Sequence, residues 1–156
     1  MFEKLQNLRW LIATLVIVCL DQISKLLISI NFNVGHTQEV TSFFNLVLAH
    51  NYGIAFSLFN ESAGEQRWLL AGLAIGIVIV MLIWLLFLDV SERLVPFALS
   101  IIMGGAIGNT IGRLLSGYVI DFLDFHISTW HWPAFNIADS AICIGVILLL
   151  IHFWKR

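Results

Sequence analysis

Four apolar segments, each long enough to cross a lipid bilayer, dominate the sequence. A spanning helix needs roughly 20 mostly apolar residues. The four segments run at about 10–30, 68–88, 96–115 and 136–154. Because 60% of the 156 residues are hydrophobic and only 12% are charged, little of the chain is left for a soluble module. We therefore predict a single α-helical membrane domain, residues 1–156, with four transmembrane helices.

Lysine and arginine are distributed unequally between the two sides of these segments. Cytoplasmic loops carry an excess of both residues. The loops of one side hold only Arg67. The other side holds Lys4, Arg9, Arg93, Lys155 and Arg156. This asymmetry predicts cytoplasmic termini and external connections at 31–67 and 116–135. The first segment lacks a small-residue cleavage pattern and is predicted to remain as an uncleaved span.

The two external connections differ in composition. Residues 40–59 are rich in β-branched and aromatic residues and carry a turn signal at Asn51-Tyr52-Gly53, which predicts short strands on the membrane surface. Residues 116–135 are amphipathic and contain Trp130 and Trp132. We expect this second connection to lie in the membrane interface.

Glycines recur every four residues on two of the segments. Small residues at this spacing let helices approach closely. The third segment carries Gly104, Gly108 and Gly112, and the second carries Gly72 and Gly76. Helix packing is the predicted role of all five.

Charged residues inside these segments require an explanation, because one at the centre of a spanning helix costs on the order of 2.5–3.5 kcal/mol. Asp21 and Lys25 are spaced i, i+4, which places them on one helical face where they can form an ion pair. Such a pair either satisfies itself and docks another helix or takes part directly in function. The residues alone leave both interpretations open.

Asn109 and Arg113 have the same spacing near the end of the third segment. Arg113 either extends to the interface, as long basic side chains commonly do, or holds a carboxylate or lipid phosphate with its planar guanidinium. The first interpretation leaves Asn109 unexplained.

Three aspartates lie close to the predicted external rim. Asn136 is a predicted N-cap with Asp139 at the third helical position, where helix-dipole stabilisation explains an acid. Asp121 and Asp124 reach the same rim from the preceding connection. Two close carboxylates in a poorly solvated site share a proton, so that one acts as a base and the other as an acid toward water. This chemistry suits amide hydrolysis without a covalent intermediate. The residues alone favour Asp121 over Asp124 only weakly, by position.

Five short motifs in order make the chain similar to the bacterial lipoprotein signal peptidase family, also called signal peptidase II. The motifs are DQISK (21–25), NYGIAF (51–56), GNTIGR (108–113), VIDF (119–122) and FNIADS (135–140). The resemblance covers essentially the whole chain. It implies an aspartic endopeptidase of the bacterial inner membrane, with its catalytic pair near the outer leaflet and a small extracytoplasmic β-sheet, formed by the first external loop, that cradles substrate.

The resemblance also implies the roles of individual residues and the partners. Asp121 and Asp139 correspond to the catalytic dyad. The residues that would orient the dyad or hold substrate are Asp21, Lys25, Asn51, Asn109, Arg113 and Asn136. The implied substrate is a prolipoprotein carrying a diacylglyceryl-modified cysteine, cut just before that cysteine. Membrane lipids and globomycin-type cyclic peptides are the other expected partners, and no cofactor is implied.

One position departs from the family pattern. The third motif usually reads G-N-x-x-D-R, whereas this chain has Gly112 before Arg113. A contact from an aspartate to the neighbouring arginine is therefore expected to be missing. We interpret the glycine as tolerated through closer packing.

Three other functions fit the sequence less well. A zinc site built from the five histidines lacks both the H-E-x-x-H motif and ligands spaced i, i+4. A proton-relaying transporter needs polar groups across the whole bilayer, but the acids gather on one side. A lipid-binding assembly factor would not need paired carboxylates. No basic stretch indicates nucleic-acid binding.

Overall fold

The computed structural model describes residues 6–53 and 65–155. Four helices in this part of the chain are long and apolar enough to cross a membrane, at Asn7–Asn31, Gln66–Phe87, Leu94–Ser116 and Ile137–Trp154. The four predicted spans are therefore confirmed to within a few residues at each end. Ala55 and Phe56 of the second motif, and the terminal residues Lys4 and Arg156, lie outside the described residues.

The helices and strands follow one another in a simple order. A short 3₁₀ helix, Asn7–Trp10, leads into α1 (Leu11–Asn31), and two strands follow, β1 (Thr37–Thr41) and β2 (Phe44–Asn51). The helices α2 (Glu65–Phe87) and α3 (Leu94–Ser116) come next. The chain then forms β3 (Val119–Ile127) and β4 (Trp130–His131) and ends in α4 (Ile137–Trp154).

Helix α3 is the centre of the bundle and most of its residues are buried, whereas few residues of the other three helices are. Glycines make this close packing possible. A Cβ at Gly104 would lie 2.7 Å from Ile17 Cβ on α1, and one at Gly108 would lie 2.5 Å from Asp21 Oδ2. The predicted packing role of these two glycines is confirmed.

The other three glycines behave differently from the prediction. Within the described residues nothing lies within 4 Å of a Cβ placed at Gly72 or Gly76, so neither contributes to packing in this part of the chain. Gly112 does sit in a tight contact, but a Cβ there would lie 2.9 Å from the Tyr118 carbonyl oxygen, which leads into β3. Gly112 therefore lets the helix approach a strand rather than another helix.

The sheet combines both connections between the spans. Its four strands lie in the order β1-β2-β3-β4, and each neighbouring pair is antiparallel. The resemblance implies a small sheet in the first connection, which supplies β1 and β2. Strand β3 of the second connection supplies the other half, with Ala49 of β2 opposite Asp121 of β3. The pairing of these two strands therefore places Asp121 of β3 next to β2, which belongs to the first connection.

An apolar cluster holds this sheet against the end of the bundle. Ile28 on α1, Leu48 on β2 and Phe122 on β3 are buried together. Ile137, at the start of α4, packs against the same cluster. Residues adjacent to this cluster on all four elements are therefore held close together.

Candidate active site

The first turn of α4 fixes the carboxylate of Asp139. Asn136 caps the helix, and its Oδ1 accepts a hydrogen bond from the Asp139 backbone N–H at 3.0 Å. Asp139 Oδ2 in turn accepts one from the Asn136 backbone N–H at 3.2 Å. This reciprocal arrangement is a capping box. It confirms the predicted N-cap and the third helical position of Asp139, where the helix dipole stabilises negative charge.

Asp121 lies on β3 with only 4% of its surface exposed. Its two carboxylate oxygens accept hydrogen bonds from different amides. Asn51 Nδ2, at the end of β2, donates to Oδ2 at 2.9 Å, and Asn136 Nδ2 donates to Oδ1 at 2.7 Å. Asn136 therefore contacts both aspartates, Asp121 through its side chain and Asp139 through its backbone.

Asn109 on α3 is the second amide that connects the two aspartates. Its Nδ2 donates to Asp139 Oδ1 at 2.7 Å. Its Oδ1 accepts from Asn136 Nδ2 at 3.2 Å and from Lys25 Nζ at 2.9 Å. A lysine on α1 thus orients an amide on α3 toward a carboxylate on α4.

The predicted ion pair between Asp21 and Lys25 is confirmed. Lys25 Nζ lies 2.7 Å from Asp21 Oδ2, and both side chains are buried. Asp21 Oδ1 also accepts a hydrogen bond from the Ala138 backbone N–H at 3.0 Å, which ties α1 to the first turn of α4. Gln22 Nε2 donates to Asp21 Oδ2 at 2.9 Å and to the Gly108 carbonyl at 3.1 Å. The pair therefore both docks helices and supports the residues around the aspartates.

The surroundings of Asp121 disfavour its charge. The pKa of Asp121 is raised from 3.8 to about 6, mainly by burial, and the negative charge of Asp139 acts in the same direction. Hydrogen bonds from Asn51 and Asn136, and the positive charge of Lys25, act in the opposite direction. Burial dominates, and Asp121 holds a proton to a higher pH than an ordinary carboxyl.

Arg113 lies at the edge of this group. Its NH1 approaches the Asn109 carbonyl at 3.5 Å, and its NH2 approaches the Gly53 carbonyl at 3.4 Å. Its Nε is buried and lacks a hydrogen-bond partner among the described residues. A glycine at 112 cannot supply a carboxylate to the arginine beside it.

Asp124 belongs to a different cluster of side chains. Asn45 Nδ2 donates to Asp124 Oδ2 at 2.8 Å, and His131 Nδ1 lies 2.9 Å from Asp124 Oδ1. His131 stacks on His126, with ring centroids 4.9 Å apart. Burial alone would raise the pKa of Asp124, but the bonds from Asn45 and His131 lower it overall. No group of three His, Cys, Asp or Glu residues suited to a metal ion occurs in the described ranges.

Hydrogen bonds between side chains connect seven of the eight residues singled out from the sequence. The connected residues are Asp21, Lys25, Asn51, Asn109, Asp121, Asn136 and Asp139. Sequence reasoning gave no role to Gln22, although it lies within the first motif. It also missed two backbone groups, the Ala138 N–H and the Gly53 carbonyl, which residue type does not reveal.

The chain is similar to known proteins over almost its whole length. Residues 13–155 match the protein family described as Signal peptidase (SPase) II. A lipoprotein signal peptidase of Janthinobacterium sp. (strain Marseille) is 53% identical over 149 residues, which are 96% of this chain and 90% of that protein. A lipoprotein signal peptidase of Cupriavidus taiwanensis is 46% identical over 149 residues, 96% of this chain and 84% of that protein.

Two solved structures described as bacterial membrane enzymes share the fold. The structure determined at 1.9 Å matches with a TM-score of 0.84 and 31% identity, over 95% of this chain and 94% of that chain. The structure determined at 2.3 Å has the same TM-score and identity, over 94% of this chain and 88% of that chain. Both were determined by the in meso method.

Proposed function

Because the chain belongs to the signal peptidase II family, we propose that it is a membrane-embedded aspartic endopeptidase acting on prolipoproteins. It removes the signal peptide from a diacylglyceryl-modified prolipoprotein by cutting before the lipidated cysteine. One observation carries the mechanism: Asn136 donates to Asp121 through its side chain and to Asp139 through its backbone. Both carboxylates are therefore hydrogen-bonded to one residue, which supports a joint action on one water molecule.

The two carboxylates differ in a way that assigns their roles. Asp121 is the more buried of the two, and its pKa of about 6 supports giving it the shared proton. Asp139 lies at a helix N-terminus and accepts two hydrogen bonds, which stabilise its negative charge. Asp139 is then the general base and Asp121 the general acid.

The reaction follows from these roles. Asp139 takes a proton from water as the water oxygen attacks the scissile carbonyl carbon, and Asp121 gives its proton to the carbonyl oxygen. The tetrahedral diol then collapses and the C–N bond breaks. The proton held by Asp139 goes to the leaving amine, and a diol hydroxyl proton returns to Asp121. The products are a carboxyl group on the signal peptide and a free amine on the lipidated cysteine.

The other site residues have supporting roles in this proposal. Asp21, Lys25 and Asn109 orient Asp139, and Asn51 and Asn136 orient Asp121. Arg113 has a buried Nε without a partner in the described residues and faces substrate at the edge of the site.

The proposed setting follows from the family and from the charge asymmetry of the loops. The chain is a single multi-pass domain of the bacterial cytoplasmic membrane, with both termini cytoplasmic and the two aspartates toward the outer leaflet. Substrate and bilayer lipids are its partners, globomycin-type peptides are its expected inhibitors, and it needs no cofactor.

Substitution of each aspartate tests the proposal. Purified Asp121→Asn and Asp139→Asn variants are expected to lose cleavage of a lipid-modified precursor by at least about 10³-fold, because the acid or the base is gone. The matched control is Asp124→Asn, which removes a buried carboxylate from the same strand but outside the site. Near wild-type cleavage by either dyad variant would overturn the assignment.

A second measurement separates this mechanism from metal catalysis. Cleavage by the wild-type chain is expected to continue in excess chelator, because water is activated by carboxylates. Loss of activity in chelator that added metal restores would show instead that a labile metal performs the chemistry.

A further inference from the structure

The end of the β3–β4 hairpin exposes large apolar side chains. Ile127 is 75% exposed, Trp130 is 59% exposed and Trp132 is 56% exposed. Phe43, in the turn between β1 and β2, lies beside them, since its carbonyl accepts a hydrogen bond from the His126 N–H at 3.0 Å. Phe43, Phe125, His126, Ile127, Trp130 and Trp132 line an open groove of about 420 Å³. We call residues 125–132 the hairpin tip.

The β3–β4 hairpin begins just after α3 ends, and the chain leaves it just before α4 begins. Helix α3 ends at Ser116, and β3 begins three residues later at Val119. Helix α4 begins at Ile137, five residues after Trp132. The returning segment stays bonded to β3, because Phe135 exchanges backbone hydrogen bonds with Leu123 at 2.8 and 3.1 Å. The hairpin therefore lies close to the points at which α3 and α4 leave the bilayer.

No uncompensated charge opposes contact between this tip and lipid. The tip itself contains no Asp, Glu, Lys or Arg. The nearest carboxylate, Asp124, is buried and is satisfied by Asn45 and His131. An unpaired charge would make entry into a medium of low dielectric costly, whereas a hydrogen-bonded pair at the base of the tip does not. Tryptophan also prefers the boundary between headgroups and acyl chains.

We propose that the hairpin tip inserts into the lipid surface, with acyl chains of bilayer phospholipids filling the groove. The interaction is apolar and aromatic rather than electrostatic, because the connection from 117 to 136 contains no lysine or arginine. Asp121 lies on the same strand, four residues before Phe125. Insertion of the tip therefore fixes the depth of that carboxylate relative to the bilayer.

A fluorescent label at Ile127 tests the insertion directly. A thiol-reactive dye is attached to Ile127→Cys in the full chain, with Cys19→Ala and Cys143→Ala removing the other thiols, and the protein is reconstituted in phosphatidylcholine vesicles. Quenching by lipids brominated near the headgroup end of the acyl chains is expected to be severalfold stronger than quenching by aqueous iodide. The matched control is a label at Gln38→Cys, an exposed position on β1 at the opposite edge of the sheet.

Two results would overturn the proposal. One is an Ile127 label that iodide quenches as strongly as the Gln38 label and that brominated lipid leaves unquenched. The other is lipid quenching at Ile127 that appears only when anionic lipid is added, because adsorption by charge would then explain the contact. Neither measurement involves cleavage, so failure of this inference is distinguishable from failure of the proposed function.

Discussion

Each amide that faces the two aspartates is held in one orientation by a second contact. Asn51 Oδ1 accepts a hydrogen bond from the Gly53 N–H at 3.1 Å, which leaves its Nδ2 to face Asp121. Asn109 Oδ1 accepts from Lys25, which leaves its Nδ2 to face the other carboxylate. An amide turned the other way would present an oxygen to a carboxylate and repel it. The neighbours of these amides therefore help to fix the hydrogen-bond donors that surround the two aspartates.

Replacing Asn51 tests the acid role of Asp121. The hydrogen bond from Asn51 lowers the pKa of Asp121, so Asn51→Leu is expected to raise it above its present value of about 6. If protonated Asp121 is the acid, activity falls as pH rises through this pKa, and the alkaline limb should move up by about one pH unit, equivalent to about 1.4 kcal/mol. The pH profile of kcat/KM measures this limb, which reports on the coupled pair.

A neighbouring asparagine on the same strand supplies the control. Asn45 donates to Asp124 instead of Asp121. The Asn45→Leu variant is therefore expected to keep the wild-type alkaline limb. An unchanged limb in Asn51→Leu, or an equal displacement in both variants, would contradict Asp121 as the group that loses the proton.

Lys25 is expected to affect both the stability of the protein and the rate of cleavage, by two separate routes. Lys25→Met leaves the buried carboxylate of Asp21 without its cation, which typically costs 3–5 kcal/mol. It also releases Asn109 from its orientation, and a misplaced catalytic group commonly costs about 10²-fold in rate. Thermal unfolding in detergent and cleavage of a lipid-modified precursor measure the two effects.

The double variant Asp21→Asn/Lys25→Met separates these routes. It removes both charges, so most of the lost stability is expected to return. Cleavage should stay low, because Asn109 Oδ1 still lacks the lysine that orients it. Recovery of both properties together would mean that Lys25 acts only through stability.

At the scale of helices and strands, Gly108 and Gly72 differ in their surroundings, although each belongs to a row of glycines spaced four residues apart. A Cβ at Gly108 would lie 2.5 Å from Asp21 Oδ2, whereas one at Gly72 would meet none of the described residues. Gly108→Ala is expected to lower stability by about 1–3 kcal/mol and to reduce cleavage, because Asp21 must move. Gly72→Ala should keep or raise the unfolding temperature, since alanine favours a helix by up to about 1 kcal/mol over glycine. Equal unfolding temperatures for the two variants would contradict this packing.

The same comparison explains which elements could be predicted from the sequence. The four spans can be predicted because each apolar segment is long enough to cross the bilayer. The start of α4 can be predicted from a local capping pattern at Asn136. Glycine spacing cannot tell which side of a helix meets another element, so Gly72 and Gly76 looked identical to Gly104 and Gly108. Strand pairing between residues about 70 apart, such as Ala49 and Asp121, is not encoded locally either. The contribution of β3 to the sheet was missed for this reason.

At the scale of the whole molecule, the site exists only because five elements meet at one end of the bundle. Its residues come from α1, β2, α3, β3 and α4. The motifs identified these residues through family resemblance, whereas physical reasoning from the residues placed them only at a common depth. Beyond that resemblance, the physical distinction between Asp121 and Asp124 comes from the register of β2 and β3, which puts Asn45 opposite Asp124.

The position of the site at the span ends leads to a prediction about substrate. A substrate held there must have its scissile bond at the membrane surface, and two acyl chains would keep it there, because each buried CH₂ contributes about 0.8 kcal/mol. We expect a precursor without the diacylglyceryl group to be cleaved in vesicles with a kcat/KM at least about tenfold lower, mainly through KM. Matched precursors with and without the lipid, assayed with wild-type enzyme in the same vesicles, measure the difference. Equal kcat/KM values would mean that the polypeptide alone positions the bond, and that the depth of the site has no role in recognition.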